Sequence, residues 1–162
     1  MIIVSGDLMN TSIQFVAHQV NCLGVFGAGV AKCIREKHPD VYTKYKELCE
    51  ESSPEELFGT SYVCKCNNYN RAIINLFGQY QYRTIKRQTD CMTDYTALRN
   101  AIIDSIEYIR NEYMREDGCQ IVIAIPYNMS CGLAGGDWGI VSSMLERIEK
   151  DENVLFVAYV LK

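Results

Sequence analysis

Two glycine-bearing stretches hold the residues whose types and spacing could do chemistry. The first, Gln19–Lys32, reads Q-V-N-C-L-G-V-F-G-A-G-V-A-K. It leaves an apolar strand at Phe15-Val16-Ala17, crosses a loop with glycines at 24, 27 and 29, and enters an apolar-periodic segment. Glycine lets the backbone reach positive φ and approach a ligand without a Cβ in the way. A helix that starts there presents unpaired N–H groups and a positive dipole end. Strand, glycine loop and helix start together make an anion cradle suited to phosphate, and a tight turn without a ligand is the plain alternative.

The second stretch, Ile121–Trp138, reads I-V-I-A-I-P-Y-N-M-S-C-G-L-A-G-G-D-W. A buried-type strand (Gln120–Ile125) again ends in a turn, a loop with glycines at 132, 135 and 136, and a helical pattern. In open α/β sheets ligands sit beyond the carboxyl ends of the strands. Two converging backbone nests suit a diphosphate better than a single phosphate.

Three motifs in order, G-D-L at Gly6–Leu8, V-N-C-x-G-x-x-G-x-G-x-A at Val20–Ala31 and I-P-x-x-x-S-C-G-L-A-G-G-D-W at Ile125–Trp138, resemble the macrodomain family over essentially the whole chain. Within the family the chain looks most like the branch that processes ADP-ribose 1″-phosphate or removes ADP-ribose from proteins and nucleic acids. The resemblance implies an α/β fold, a three-layer α/β/α macrodomain with a central mixed sheet, and ADP-ribose or a derivative as ligand. It places Gly24, Gly27, Ala28, Gly29 and Val30 of the first loop at the ligand. From the second loop it adds Ser130, Cys131, Gly132, Leu133, Ala134 and Gly135. Asp7 would accept a hydrogen bond from the adenine amino group, Leu8 would lie beside it at the ligand, and Tyr159 could stack on the base. Asn21, at the carboxyl end of its strand, would contact the distal ribose. As plain alternatives, Asp7 reads as a turn or cap residue, Asn21 as a loop starter and Tyr159 as a core or rim tyrosine.

Hydrolysis at the 1″ carbon needs a positioned ribose, a stabilised leaving group and an attacking water or nucleophile. Candidate catalytic residues are Asn21, Asp137 and Lys86. Asp137 stands directly before Trp138, where an N-cap belongs, so capping is its other reading. Gly78–Met92 carries Tyr80, Tyr82, Arg83, Lys86 and Arg87 in a long loop, which reads either as a solvated basic loop or as a substrate flap. One macrodomain branch pairs a lysine with an aspartate after G-L of the second loop. That position is Ala134 here, so the lysine–aspartate covalent route is not supported. A second branch places an aspartate soon after the first loop, where this chain has Val30, Ala31 and Lys32. An enzyme and a non-catalytic ADP-ribose-binding module both stay open.

The remaining observations bound the setting. A chain of 162 residues with 48% hydrophobic and 22% charged residues is expected to be one globular domain, 1–162. A net charge of −4 argues against broad nucleic-acid binding, though ADP-ribosylated protein or nucleic acid fits as a partner. No apolar run approaches the roughly 20 residues that span a bilayer, and no signal-peptide pattern opens the chain. A cytoplasmic monomer without membrane contact is the expectation. The 8 cysteines include no C-x-x-C pair, so reduced, packed thiols are expected and a zinc site is not. No cofactor is implied. The first loop is G-x-x-G-x-G, not the G-x-G-x-x-G of dinucleotide oxidoreductases, and no carboxylate or histidine cluster suggests a metal-dependent hydrolase.

Periodicity places strands at Met1–Val4, Ile13–Asn21, Gly59–Cys66, Arg71–Phe77, Gln120–Ile125 and Val154–Leu161, with a hairpin turn at Asn67–Asn70. Helices are expected over Val30–Lys37, with Val30, Cys33 and Ile34 on one side, from Pro39, over Thr93–Arg115 with Thr93 as cap, and from Trp138. Ser52-Ser53-Pro54 reads as loop, and His18 as a packed or surface residue.

Overall fold

The computed structural model describes residues 1–67, 70–84, 90–114 and 118–161. Six strands form one mixed sheet in the order β1-β6-β5-β2-β4-β3. They are β1 (Ile2–Ser5), β2 (Phe15–Asn21), β3 (Ser61–Lys65), β4 (Ala72–Gln79), β5 (Ile121–Pro126) and β6 (Val154–Val160). All neighbouring pairs are parallel except β3–β4, the expected hairpin, whose turn includes residues 68 and 69, outside the described residues.

The alternation of side chains along the strands builds two cores, one on each face. Phe15 and Ala17 of β2, with Ala72, Ile74 and Leu76 of β4, pack against α4 (Tyr95–Tyr113) and α5 (Trp138–Glu152). Val16 and Val20, with Ile73 and Phe77, face α1 (Gly29–Lys37), α2 (Pro39–Glu51) and the short α3 (Pro54–Leu57). This is the three-layer α/β/α arrangement. Central strands covered on both faces are almost wholly apolar, as β4 shows with seven buried residues in eight.

Several boundaries differ from the periodicity reading for local reasons. Ser53 opens α3 through a reciprocal capping box with Glu56, so the Ser-Ser-Pro stretch is a helix start. Asp94, not Thr93, caps α4 by accepting from the Ala97 N–H. The Thr93 hydroxyl instead donates to the Ser130 carbonyl at 2.7 Å. The helix ends at Tyr113 with Met114 as its C-cap, and Arg115 lies outside the described residues. In α1 only Ile34 is fully buried and Cys33 is exposed, because this helix lies along the rim of a cavity.

Candidate functional site

The strand ends place the site. The parallel strands β2 and β5 are neighbours, and their carboxyl ends release the two glycine loops side by side. Both loops line one pocket of about 730 Å³. Phe26, Gly27, Ala28, Gly29 and Val30 come from the first, and Ser130, Gly132, Leu133 and Ala134 from the second.

The first loop is organised by Asn21. Its Oδ1 accepts from the Leu23 and Val25 N–H groups at 3.0 and 3.3 Å, and its Nδ2 donates to the Val25 carbonyl at 2.8 Å. The buried amide therefore folds the loop around itself, which leaves one amide N–H as its remaining donor. Gly24, at φ +77°, shapes the turn without lining the pocket, and a Cβ there would stand 3.5 Å from Cys49 Cβ. The loop then delivers α1 with Ala28 at the N-cap, no side-chain cap and no acidic residue in the first turn. By contrast, α3, α4 and α5 all have side-chain caps. The first-turn N–H groups of α1 thus face the pocket without a capping oxygen, the condition an anion requires.

The second loop is held from behind. Asn128 and Ser130 sit at φ +58° and +69°, a left-handed conformation uncommon outside glycine. The Ser130 carbonyl accepts from the Thr93 hydroxyl and from the Gly136 N–H at 2.9 Å. Met92 N donates to the Ala134 carbonyl at 2.7 Å. Gln19 bridges β2 to this support, with Nε2 at 2.9 Å from Gln79 Oε1 and 3.0 Å from Thr93 Oγ1. A Cβ on Gly78 would stand 2.5 Å from the Gln19 side-chain oxygen and 3.0 Å from Leu98 Cβ, so a larger residue there would displace the Gln19 amide from this network.

The pocket wall holds unmatched polar atoms. The Ser130 hydroxyl and the His18 Nδ1 are buried without a partner. His18 is only 2% exposed, and burial lowers its pKa to about 4, so the imidazole is neutral near pH 7. Its Nε2 lies 2.8 Å from Asn75 Oδ1. Among the described residues that line the pocket there is no carboxylate, and Arg83 is the one formal charge.

A second, smaller depression adjoins the first and shares Val30, Pro126 and Tyr127 with it. Gly6, Asp7, Leu8 and Tyr159 line it. Asp7 caps the 3-10 turn Leu8–Asn10, with Oδ1 accepting from the Met9 N–H at 2.8 Å and Oδ2 from Asn10 Nδ2 at 2.9 Å. The Tyr159 hydroxyl pairs with Thr11 Oγ1 at 2.7 Å, and its ring lies against Gly6.

A family model for the Macro domain matches residues 17–145. The chain belongs to the macrodomain family. It is 24% identical over 172 residues to an ADP-ribose 1″-phosphate phosphatase of Scheffersomyces stipitis, covering 95% of this chain and 98% of that one. It is 25% identical over 155 residues to a DNA ADP-ribosyl transferase–DNA ADP-ribosyl glycohydrolase fusion protein of Thermosipho africanus. That match covers 90% of this chain but only 38% of the fusion protein. A solved structure of Thermosipho africanus DarTG in complex with ADP-ribose superposes with a TM-score of 0.76 at 21% identity, covering 99% of this chain and 42% of that one. The expected macrodomain architecture is thereby confirmed.

The sequence-predicted residues divide within this macrodomain. Residues of both loops meet at one pocket, while Asp7, Leu8 and Tyr159 gather at the adjoining depression. Cys131 and Gly135 build the second loop without lining the pocket. The Cys131 thiol points to the Met129 carbonyl, and its pKa is pushed up to about 11, chiefly by burial. Asp137 caps α5, accepting from the Ile140 N–H at 3.1 Å, and is absent from the pocket lining. Lys86 lies outside the described residues. Sequence reading set His18 aside as a packed or surface residue, and gave Gln19 and Gln79 no role of their own within their stretches. Their polarity within otherwise apolar strands was the available signal.

Proposed function

We propose that this macrodomain binds ADP-ribose and hydrolyses an ADP-ribose derivative at the 1″ position, releasing phosphate or a macromolecule. The observation that carries the reading is the convergence of an uncapped helix start and a second glycine loop on one pocket. The diphosphate sits between them, held by backbone N–H groups. Adenine occupies the adjoining depression against Tyr159, with Asp7 and Leu8 at its edge. The distal ribose lies at the other end of the main pocket, near Asn21 and Gln79. The phosphatase and glycohydrolase names of the relatives support hydrolysis.

Asn21 positions the first loop and offers its remaining amide N–H to the ribose, and Lys86 acts as an electrostatic partner. Asp137 is assigned to capping. The substrate is ADP-ribose 1″-phosphate or ADP-ribosylated protein or nucleic acid. The protein acts as a monomer in the cytoplasm, a setting that its eight free thiols suit. Light scattering on the purified chain tests the monomer.

The second reading, a binding module without turnover, draws on the absence of a carboxylate among the described pocket-lining residues. Incubation with ADP-ribose 1″-phosphate, ADP-ribosylated protein and ADP-ribosylated DNA separates the two. Product from at least one of them, reduced in Asn21→Ala, is expected. Saturable ADP-ribose binding with no product from any would establish the binding module instead.

A further inference from the structure

Arg83 brings a guanidinium to the back of the second glycine loop. Its Nη2 donates to the Asp90 carbonyl at 2.8 Å and occupies the space that a Cβ on Gly135 would fill. Its Nε is buried without a partner. It makes no ion pair with any described residue. A guanidinium has five N–H donors, and among the described residues Arg83 donates to this one carbonyl.

The sheet order fixes which part of a ligand this cation would meet. The depression around Gly6 and Tyr159 lies over β1 and β6. The two glycine loops leave β5 and β2, the next strands across. Arg83 follows β4, on the far side of β2, and lines the main pocket with Gln79, Tyr82 and Ala134. A ligand with its base over β6 and its diphosphate between the loops therefore extends its distal ribose toward the β4 side of the pocket, whose wall includes Arg83 with its guanidinium against Gly135 and Asp90. The surrounding described wall carries no carboxylate to oppose an anion there.

We infer that Arg83 makes this site prefer a phosphate monoester on the 1″ carbon over an uncharged substituent. The inference rests on the proposed binding of ADP-ribose and names the substrate class within it. A phosphate monoester carries close to two negative charges near pH 7, and the planar fork of arginine binds its oxygens in pairs. A glycosidic link to a base or a neutral amide offers no such charge.

The test compares wild type, Arg83→Gln and Arg83→Lys, each checked by thermal melting. Calorimetry gives the Kd for ADP-ribose. Phosphate release gives kcat/KM for ADP-ribose 1″-phosphate, and ADP-ribose release gives it for ADP-ribosylated DNA and protein. Arg83→Gln is expected to lower kcat/KM for the 1″-phosphate by about 30-fold, the scale of a lost charge-assisted contact, with Arg83→Lys recovering part. The Kd for ADP-ribose and the release from macromolecules should weaken less, since Arg83 meets them only as pocket wall and loop support, so kcat/KM for the 1″-phosphate relative to that for macromolecules falls by about tenfold. If no substrate turns over, the same loss is expected in the ratio of Kd values for ADP-ribose 1″-phosphate and ADP-ribose. Unchanged handling of the 1″-phosphate, or an equal loss for ADP-ribose itself, would overturn the assignment. Failure of wild type to bind ADP-ribose would instead remove the underlying reading, whatever Arg83 does.

Discussion

Tyr45, from the middle of α2, donates its hydroxyl to the Asn21 backbone carbonyl at 2.7 Å, with the Asn21 side-chain oxygen 3.1 Å away. Its fully buried ring stacks on Phe26 at 4.2 Å. One residue thus anchors both the start and the middle of the first glycine loop. Burial raises the phenol pKa, so the hydroxyl keeps its proton at working pH. Tyr45→Phe keeps the ring packing but leaves buried oxygens short of a donor, which costs about 1–3 kcal/mol. Urea melts should show that loss, and calorimetry should show weaker ADP-ribose binding. Unaltered stability and affinity would mean that the loop holds itself.

His18 makes folding stability depend on acid. The Asn75 amide donates Nδ2 to the Tyr62 carbonyl at 3.1 Å, which directs its oxygen at His18 and fixes the proton on Nε2. Burial lowers the folded pKa from 6.5 to about 4. Between those values the unfolded chain takes up a proton that the folded chain refuses. Stability from this residue is therefore complete above pH 6.5, falls as pH drops toward 4, and changes no further below that. The full loss is roughly 3 kcal/mol. Melting temperatures from pH 7 to 4 should fall less steeply in His18→Gln than in wild type. Parallel curves would show that other groups set the acid response.

Residues with one dominant local cause were legible in the sequence. Pro39 opens α2, Asp137 caps α5, and the apolar runs of β4 and β5 lie in the sheet. Both glycine loops could be read because few residue types allow such backbone. The division of labour within the site was not legible. Asn21 looks identical in sequence whether its amide faces a ribose or folds the loop inward. That outcome depends on Tyr45, twenty-four residues away. Thr93 and Asp94 are both good caps, and the choice between them follows from a carbonyl on a distant loop. Gln19, Gln79 and Thr93 form one network only because the sheet order places β2 beside β4.

Asp137 allows a clean separation of capping from catalysis. Its carboxylate accepts the Ile140 N–H, and its own N–H donates to the Tyr95 hydroxyl at 2.9 Å, which ties α5 to α4. Asparagine caps helices about as well as aspartate, whereas alanine does not. Asp137→Asn should melt and turn over near wild type, while Asp137→Ala should lose about 1 kcal/mol. Equal loss of turnover in both variants, with stability retained in Asp137→Asn, would instead identify a reacting carboxylate.

Two glycines of the second loop should fail in different ways. A Cβ on Gly136 would stand 2.6 Å from the Ser130 carbonyl oxygen and 3.3 Å from Thr93 Oγ1. That carbonyl is backbone and already accepts from the Gly136 N–H, so the loop itself must shift. Gly136→Ala should therefore lose about 1–3 kcal/mol of stability and weaken ADP-ribose binding as well. A Cβ on Gly132 meets nothing within 4 Å, yet this residue lines the main pocket. Gly132→Ala should melt like wild type and still bind ADP-ribose about tenfold or more weakly, because the new methyl displaces phosphate from the backbone. Full affinity in Gly132→Ala would place the diphosphate away from the second loop.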